Sequence, residues 1–295
     1  MFVMKYKKLF VGISTFLVLL SLIIIGVKGL RYGIEFRGGS VLEVSYDQRP
    51  SVDEIRSKLA QMNEKVQVQP YGENAYLFKT PFLSENERNT LEQLVSTEYG
   101  GKVEKFNSIG PSVGHELRTK ALYSIIFVSL GIVLFLAYSF RHVSKPVSSW
   151  KYGIVAVLAL FHDILIPVGI LTLLGKEIDT LYVVGLLSIL GLSVNDTIVV
   201  FDRIRENLKD NNESKVKESF DSLVGRAISS TLARSIFTSL TLIVVLLTLY
   251  FVGPESTRTL SFVLLLGTIV GTYSSIALAS PLLTFMAKKE TKKIK

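Results

Sequence analysis

The segment LGLSVNDTIVVFDRIREN, residues 190–207, places a charged side chain inside a hydrophobic helix. Its first half continues an apolar run that begins at Leu181, yet Asn195 and Asp196 stand side by side within that run. A carboxylate at the centre of a membrane helix costs about 2.5–3.5 kcal/mol on insertion scales unless it is paired, protonated or hydrated. The segment therefore predicts a membrane-spanning helix in which pairing, protonation or hydration offsets the cost of Asp196.

The composition places the chain among integral membrane proteins. Of its 295 residues, 48% are hydrophobic and none is cysteine. Six apolar segments have about the 20 residues that cross a bilayer; they cover roughly residues 9–27, 121–140, 153–174, 181–201, 235–252 and 260–283. The lack of cysteine excludes disulfides and thiolate chemistry. The three histidines, His115, His142 and His162, are too far apart in sequence to predict a metal site, so we expect neither metal nor cofactor.

Basic residues gather on one side of these six segments. The formal net charge is +8, and Lys and Arg concentrate before the first segment, after the second, after the fourth and after the sixth. The positive-inside rule puts those positions in the cytoplasm. We therefore predict a multi-pass membrane protein with both termini cytoplasmic and with its first segment kept as a signal anchor. Topology accounts for the positive charge without nucleic acid.

The same topology predicts four parts of the chain. Residues 1–29 form a cytoplasmic N-terminus and the first transmembrane helix, and residues 30–118 form an extracytoplasmic α+β domain. Residues 119–284 form a region of five transmembrane helices, and residues 285–295 form a basic cytoplasmic tail.

Within the outer domain, two periodicities alternate. Alternation with period two predicts strands over residues 40–47, 66–72, 75–80 and 101–110, whereas helical spacing predicts helices over 51–62 and 84–98. Ser84 followed by Glu87 fits a capping box at the start of the second helix. The resulting βαββαβ order is that of a ferredoxin-like domain. No catalytic constellation is present in it, so we predict a binding or scaffolding module.

The acid of the fourth segment has a potential cation at the same depth. Asp196 lies 15 residues after Leu181, about 22 Å along a helix, in the inner half of a hydrocarbon core about 30 Å thick. Arg234 is the last charge before the fifth segment. If the two helices are antiparallel neighbours, the pair could open and close with protonation; alternatively it is a static ion pair, or Arg234 extends to the interface. From Asp202 onward the charges indicate a solvated helix end.

Asp163 is the second intramembrane acid. It follows His162 directly, about 18 Å along the helix from Lys151, and Pro167 can kink that helix. A proton relay and a helix-packing role are both open for Asp163. Five neutral polar residues could hydrate or hydrogen-bond the same region: Asn195, Thr197, Ser235, Thr238 and Ser239.

Six motifs, in this order and spacing, resemble the SecF family. They are GIEFRGG (33–39), GPSVGHELRTKA (110–121), ALFHDILIPVGIL (159–171), LSVNDTIVVFDRIREN (192–207), TLARSIFTSLT (231–241) and GTYSSIALASPLL (271–283). SecF is the smaller of the paired SecD and SecF membrane subunits that assist bacterial protein export and are related to resistance-nodulation-division transporters. Glu35 departs from the Asp usual in the family, and Ser40 from the frequent Thr.

The resemblance implies a function that is not enzymatic. It implies an accessory subunit of the bacterial cytoplasmic membrane that acts with SecD on the Sec translocon (SecYEG), indirectly with SecA, and uses the proton-motive force to move unfolded secretory polypeptides. It implies a proton relay by Asp196, Arg234 and Asp163, with Asn195, Thr197 and His162 as supporting polar groups. The alternatives are a small-molecule exporter subunit of the resistance-nodulation-division type and a purely structural scaffold. The small-residue pattern GTIVG, residues 267–271, would allow a close helix contact, for which SecD is the implied partner.

Overall fold

The computed structural model describes residues 2–61, 66–141 and 147–287. Predictions that involve Met62, His142 or residues 288–295 of the basic tail lie outside these ranges. The chain forms two compact units. One, the sheet unit, consists of Arg31–Tyr123 together with Glu177–Thr180, and the remainder forms the helical unit.

Fifteen regular elements make up the two units in the described ranges. The helices are α1 (Phe2–Lys5), α2 (Lys7–Lys28), α3 (Ile34–Arg37), α4 (Val52–Gln61), α5 (Glu85–Gln93), α6 (Pro111–Ser139), α7 (Ser149–Leu173), α8 (Thr180–Glu213), α9 (Phe220–Val252), α10 (Glu255–Ser274) and α11 (Ser280–Met286). The strands are β1 (Gly39–Ser45), β2 (Gln67–Tyr71), β3 (Ala75–Thr80) and β4 (Lys102–Ile109). Two π-helical segments, Leu94–Glu98 and Ser275–Ala279, extend α5 and join α10 to α11.

The prediction of six membrane-spanning helices is confirmed by length and composition. In the described ranges the helices that meet both criteria are α2, α6, α7, α8, α9 and the continuous helix Glu255–Met286. Several extend beyond their apolar segments; α6, for example, begins at Pro111 and α8 ends at Glu213. The additional turns are polar, so these helices project past the span that lipid can cover.

The sheet unit contains one four-stranded antiparallel sheet in the order β2-β3-β1-β4. Alternate residues of β1, Leu42 and Val44, are buried together with Ile55 of α4 and Leu91 of α5. Because alternate strand residues and one face of each helix share this core, the spacing of apolar residues in the sequence identifies the strands and helices. Strands and helices follow the predicted βαββαβ order; the assignment to the ferredoxin-like class stays a prediction.

The capping box predicted for α5 is present. The Glu87 backbone N–H donates to Ser84 Oγ at 3.5 Å, and the Ser84 backbone N–H donates to Glu87 Oε2 at 2.8 Å. The Ser84 hydroxyl also donates to Glu87 Oε2 at 2.6 Å. This bond and the one from the Ser84 backbone N–H lower the pKa of the Glu87 carboxyl group because they favour its charged form. The box satisfies backbone donors that a helix start otherwise leaves unpaired, and so it determines where α5 begins.

The Gly38-Gly39 pair is required by the backbone where the chain enters β1. Gly38 has a φ of +80° and Gly39 a φ of +150°, which disfavour any side chain. A Cβ on Gly38 would lie 2.7 Å from Pro111 Cα, and a Cβ on Gly39 would lie 2.6 Å from Thr80 O. The motif therefore forms a tight turn that side chains would obstruct. What the sequence did not predict is the short helix α3 immediately before it.

A short loop, Glu177–Thr180, belongs to the sheet unit although it directly precedes the intramembrane part of α8. The Gly33 N–H donates to Ile178 O at 2.8 Å, and the Ile178 N–H donates to Arg31 O at 2.7 Å. Lys79 Nζ pairs with Glu177 Oε2 at 2.5 Å. Backbone and side-chain bonds thus hold this loop against the segment that leads into α3.

Glu35 makes the sheet unit sensitive to pH. Its carboxyl group is half-buried, and burial, together with the nearby charges of Asp179 and Glu177, raises its pKa, although its own backbone hydrogen bond and Lys79 oppose the rise. The folded state therefore binds a proton more tightly than the unfolded chain. We expect stability to be greatest below the ordinary pKa of 4.5 and to fall as the pH rises from there through the raised pKa.

Substitution of Glu35 by Gln should remove this decline. The measurement is amide hydrogen exchange of β1 in the full-length chain over a pH series, corrected for intrinsic exchange rates. Glu73→Gln, in the exposed hairpin turn, is the matched control and should keep the wild-type pH dependence. If the hydrogen-exchange protection of β1 still declined with pH in Glu35→Gln as in the wild type, Glu35 would not be the group responsible for the decline.

In the helical unit, α7 is the most enclosed of the spanning helices, because 61% of its 18-residue apolar stretch is buried. A cluster of aromatic rings packs at its beginning, where Phe140 stacks on Tyr152 at 5.0 Å and Phe201 contacts both edge-on. At the same end, Lys7 Nζ lies 2.5 Å from Asp221 Oδ2, and Lys151 Nζ donates to Met286 O at 2.6 Å. The starts of α2, α7 and α9 and the end of α11 therefore share one end of the bundle.

The small-residue stripe of α10 packs against α8 of the same chain. A Cβ on Gly267 would lie 2.1 Å from Ile189 Cγ1, and a Cβ on Gly271 would lie 3.2 Å from Ser193 Cβ. The close helix contact predicted from GTIVG is confirmed, but the implication that SecD is its partner is wrong. From the same helix, Thr272 donates to Ser239 of α9 and Ser274 donates to Asp163 of α7.

Candidate functional site

Asp196 lines a half-open cavity of about 220 Å³ between α8, α9 and α10. Polar side chains reach this cavity from all three helices: Ser193 and Asn195, Thr238 and Ser239, and Thr268 and Thr272. A water molecule occupies about 30 Å³ in the liquid and binds where several polar partners converge, so the cavity can hold several. Hydration of this kind lowers the free-energy cost of a carboxylate within an apolar helix. The cavity therefore explains how the fourth spanning helix can contain Asp196.

Helices α8 and α9 are antiparallel neighbours, as the proposed pairing of Asp196 with Arg234 required. Asn207 Nδ2 donates to Leu223 O at 3.1 Å, and Arg203 Nε donates to Ser230 Oγ at 3.3 Å. Farther along the same helix pair, Asp196 faces α9.

Two side chains of α9 interact with the Asp196 carboxyl group. Ser239 lines the cavity beside Asp196, and Arg234 acts through its charge. Both Asp196 and Arg234 are described by the structure, and no ion pair within 4.0 Å joins them. Ser239 in turn accepts a hydrogen bond from Thr272 Oγ1 at 2.6 Å. Hydroxyl groups, rather than a closed ion pair, therefore surround this acid, and Arg234 remains exposed.

Asp163 lies behind the cavity and is completely buried. Its Oδ2 accepts hydrogen bonds from Ser193 of α8 and, at 2.8 Å, from Ser274 of α10. Its Oδ1 lies 2.9 Å from Nδ1 of His162 on the same helix. Three helices thus converge on a single carboxyl group. Within the described ranges, His162 is the one basic side chain at salt-bridge distance from Asp163, and its imidazole carries a charge only when it is protonated.

His162 is also buried, and its second ring nitrogen is not satisfied. The ring stacks on Tyr273 at 6.1 Å, while Nε2 has no hydrogen-bond partner among the described residues. The Tyr273 hydroxyl donates to Phe10 O at 3.1 Å and accepts from Ser14 Oγ at 3.3 Å. The polar network around Asp163 therefore extends from α7 through α10 to α2.

The backbone near Asp163 is irregular in two helices. Pro167 lies inside α7 and has no N–H to donate to the Asp163 carbonyl four residues earlier. In α10, Ser274 is the last α-helical residue before the π-helical segment Ser275–Ala279. Such interruptions concentrate at functional sites because they redirect side chains and free backbone groups. Here they lie in α7, which carries the buried acid, and at the end of α10, which contacts it.

The structure brings together most of the residues that the sequence proposed, in two layers. Asn195 and Asp196 line the cavity, and Asp163 with His162 forms the inner layer. Thr197 is buried but does not line the cavity. Sequence reasoning missed Ser193, Ser274 and Thr272. Ser193 could have been found, because it precedes Asp196 by three residues and i, i+3 positions are neighbours on a helix.

Comparison with protein families gives two matches. Residues 90–289 match the family described as protein export membrane protein SecD/SecF, C-terminal. Residues 23–48 match the SecD/SecF GG motif, which contains the glycine pair that leads into β1.

Individual relatives match over almost the full length. Protein translocase subunit SecF of Desulfurispirillum indicum is 37% identical, with 96% of this chain and 90% of that protein covered. The SecF subunit of Thermobaculum terrenum is also 37% identical, with 98% and 94% covered. That of Helicobacter pylori strain 26695 is 33% identical, with 99% and 91% covered.

Two solved structures are similar. The crystal structure of SecDF, a translocon-associated membrane protein from Thermus thermophilus, matches with a TM-score of 0.84 at 32% identity over 96% of this chain. SecDF in a super-membrane-facing form matches with a TM-score of 0.68 at 31% identity over the same share. This chain spans 38% of each SecDF chain.

Proposed function

This chain belongs to the SecF family of protein translocase subunits, and we propose that it couples proton movement at the Asp196 cavity to the export of polypeptides. It is a multi-pass membrane protein of Sec protein export. The observation that carries the proposal is a carboxyl group in a half-open, hydroxyl-lined cavity within otherwise apolar helices. A group placed there can gain and lose a proton without leaving the bilayer, and intramembrane acids of this kind mark proton pathways.

The proposed relay consists of Asp196, Arg234 and Asp163, with Asn195, Thr197 and His162 as supporting polar groups. Arg234 acts on Asp196 by charge rather than by direct contact, so its side chain is free to approach or withdraw as Asp196 changes protonation. An approach favours the carboxylate, and protonation of Asp196 removes the attraction. This alternation would supply the conformational difference that proton movement drives.

The partners follow from the family and from the size of the related structure. The SecDF chain is more than twice as long as this one, which supports association with a SecD subunit. We propose that SecD covers the open side of the Asp196 cavity and that the pair acts on SecYEG, indirectly with SecA, to move unfolded secretory polypeptides. Lys7 and Lys151 at one end of the bundle support a cytoplasmic location for that end, in the bacterial cytoplasmic membrane.

The exporter alternative has little structural support. A small-molecule exporter needs a drug-sized compartment outside the membrane. In the described ranges, Arg31–Tyr123 is the sole large segment outside the helical unit, and the connections from α7 to α8 and from α9 to α10 are short. A scaffold, in turn, has no use for a hydrated intramembrane acid.

The deciding experiment is proton flux in phosphatidylethanolamine and phosphatidylglycerol vesicles that contain the full-length chain and its SecD subunit. We expect an imposed pH gradient to drive flux when both subunits are present and not when either is reconstituted alone. Export of a secretory polypeptide into vesicles that also contain the translocon should increase with the gradient. Flux that is independent of SecD, together with efflux of small hydrophobic compounds, would support the exporter alternative instead.

A further inference from the structure

We propose that Ser193 passes protons between the Asp196 cavity and Asp163, so that Asp163 is a second, inner proton-holding group. The inference rests on the proposed function, because it presumes that protons enter the cavity. It adds a residue that the sequence did not single out, and it gives the buried acid a connection to water.

The position of Ser193 carries the inference. Its side chain lines the cavity with Asp196, and its hydroxyl also donates to Asp163 Oδ2. Asp163 itself does not line the cavity and is completely buried. Ser193 is therefore the side chain that reaches both the cavity and the inner carboxyl group.

Ser274 provides the contrast. It donates to the same oxygen at 2.8 Å and is buried like Ser193, but it does not line the cavity. If the two hydroxyl groups served only to satisfy a buried carboxylate, they would be equivalent. Their different access to the cavity is what separates a relay group from a purely structural one.

Few side chains near Asp163 could balance a negative charge on its carboxyl group. Apart from His162, no cationic side chain lies within salt-bridge distance of it in the described ranges. From the packed helices, Ser193 of α8 and Ser274 and Tyr273 of α10 face the Asp163–His162 pair, and none of them carries a formal charge. A carboxyl group so deeply buried depends on hydrogen bonds to its oxygens, and the two serine hydroxyls and the imidazole provide them.

The transfer step balances in atoms and charge. A hydronium ion in the cavity donates a proton to Ser193 Oγ while the Ser193 hydroxyl proton passes to Asp163 Oδ2. The old serine O–H bond breaks, a new one forms, the hydronium becomes water, and the carboxylate becomes a carboxylic acid. Rotation of the serine hydroxyl then restores the starting arrangement, and the reverse sequence returns the proton to the cavity.

The test compares Ser193→Ala with Ser274→Ala in vesicles that contain the full-length chain and its SecD subunit. Each variant removes one hydroxyl donor to Asp163, so the two lose equivalent bonds. We expect Ser193→Ala to lower gradient-driven proton flux about tenfold or more, since positioned proton-transfer groups typically contribute 10²–10⁴-fold. Ser274→Ala also removes a donor to Asp163 but leaves the cavity lining intact, so it should lower flux by a clearly smaller factor than Ser193→Ala.

Ser193→Thr tests rescue, because it keeps a hydroxyl group at this position. It should restore most of the flux lost in Ser193→Ala. Co-purification with SecD and thermal unfolding show whether each variant is assembled. Equal losses in Ser193→Ala and Ser274→Ala, or wild-type flux in Ser193→Ala, would overturn the proposal.

Asp196→Asn in the same vesicles separates the two levels of inference. Loss of flux in Asp196→Asn with wild-type flux in Ser193→Ala contradicts the role of Ser193 alone. Wild-type flux in Asp196→Asn contradicts the proposed function from which the role of Ser193 follows.

Discussion

Replacing Asp196 by Asn should abolish the part of secretion that depends on the proton gradient, with insertion and assembly unchanged. Asn has nearly the same shape and can still hydrogen-bond to Ser239 and to water in the cavity, but it cannot take up or release a proton. It also removes the cost of about 2.5–3.5 kcal/mol that insertion scales assign to an Asp at this depth. The variant should therefore be at least as well inserted as the wild type.

The measurement is export of a secretory polypeptide by membrane vesicles, with and without an imposed gradient. Asp202→Asn is the matched control, since Asp202 lies on the same helix but is exposed and pairs with Arg205 at the solvated end. We expect Asp202→Asn to keep the response to the gradient, because exposed ion pairs contribute little. An unchanged response in Asp196→Asn would remove the proton relay from consideration.

Replacing Gly267 by Ala should destabilise the helical unit by about 1–3 kcal/mol, the usual cost of overpacking. The added Cβ would lie 2.1 Å from Cγ1 and 2.2 Å from Cδ1 of Ile189, a buried β-branched residue with little rotamer freedom in a helix. The helices α8 and α10 must therefore separate. Because α10 also packs against Ser193 of α8 at Gly271, on the lining of the Asp196 cavity, proton flux should fall as well.

Thermal unfolding of the purified full-length chain measures this effect. Gly131→Ala in α6 is the matched control, because a Cβ there meets nothing within 4 Å; it should be neutral or slightly stabilising, as Ala favours a helix over Gly. Adding Ile189→Ala to Gly267→Ala should recover part of the loss, since residues in contact are not additive. Equal melting temperatures for Gly267→Ala and Gly131→Ala would show that the contact is not tight.

The architecture was largely predictable from the sequence, because it depends on patterns that are local along the chain. Runs of about 20 apolar residues identify spanning helices. Alternation and helical spacing identify the elements of the sheet unit, and the capping box at Ser84 follows from two residues. The short helix α3 escaped because four residues carry too little periodicity, and the π-helical segment Ser275–Ala279 escaped because nothing in its composition distinguishes it from an α-helix.

The candidate site was only half predictable. Asp196 and Asp163 stand out in sequence because charge is costly in lipid, and chain direction alone brings Arg234 to a depth similar to that of Asp196. The sequence left open a direct ion pair between Asp196 and Arg234, and it could not show that Ser239 interacts with Asp196 instead. Which side chain of α9 faces Asp196 depends on how α8 and α9 are rotated about their axes.

By itself, then, the sequence determined the number of spanning helices, the family and the acids that must be explained, since each follows from composition or from motifs along the chain. The tertiary structure alone decided how those acids are arranged. Gly267 and Gly271 set the close approach of α10 to α8, and that approach places Ser193 between an open cavity and a buried carboxyl group. Nothing in the sequence of α8 distinguishes Ser193 from other serines. Its proposed role in proton transfer depends on its position where α7, α8 and α10 meet.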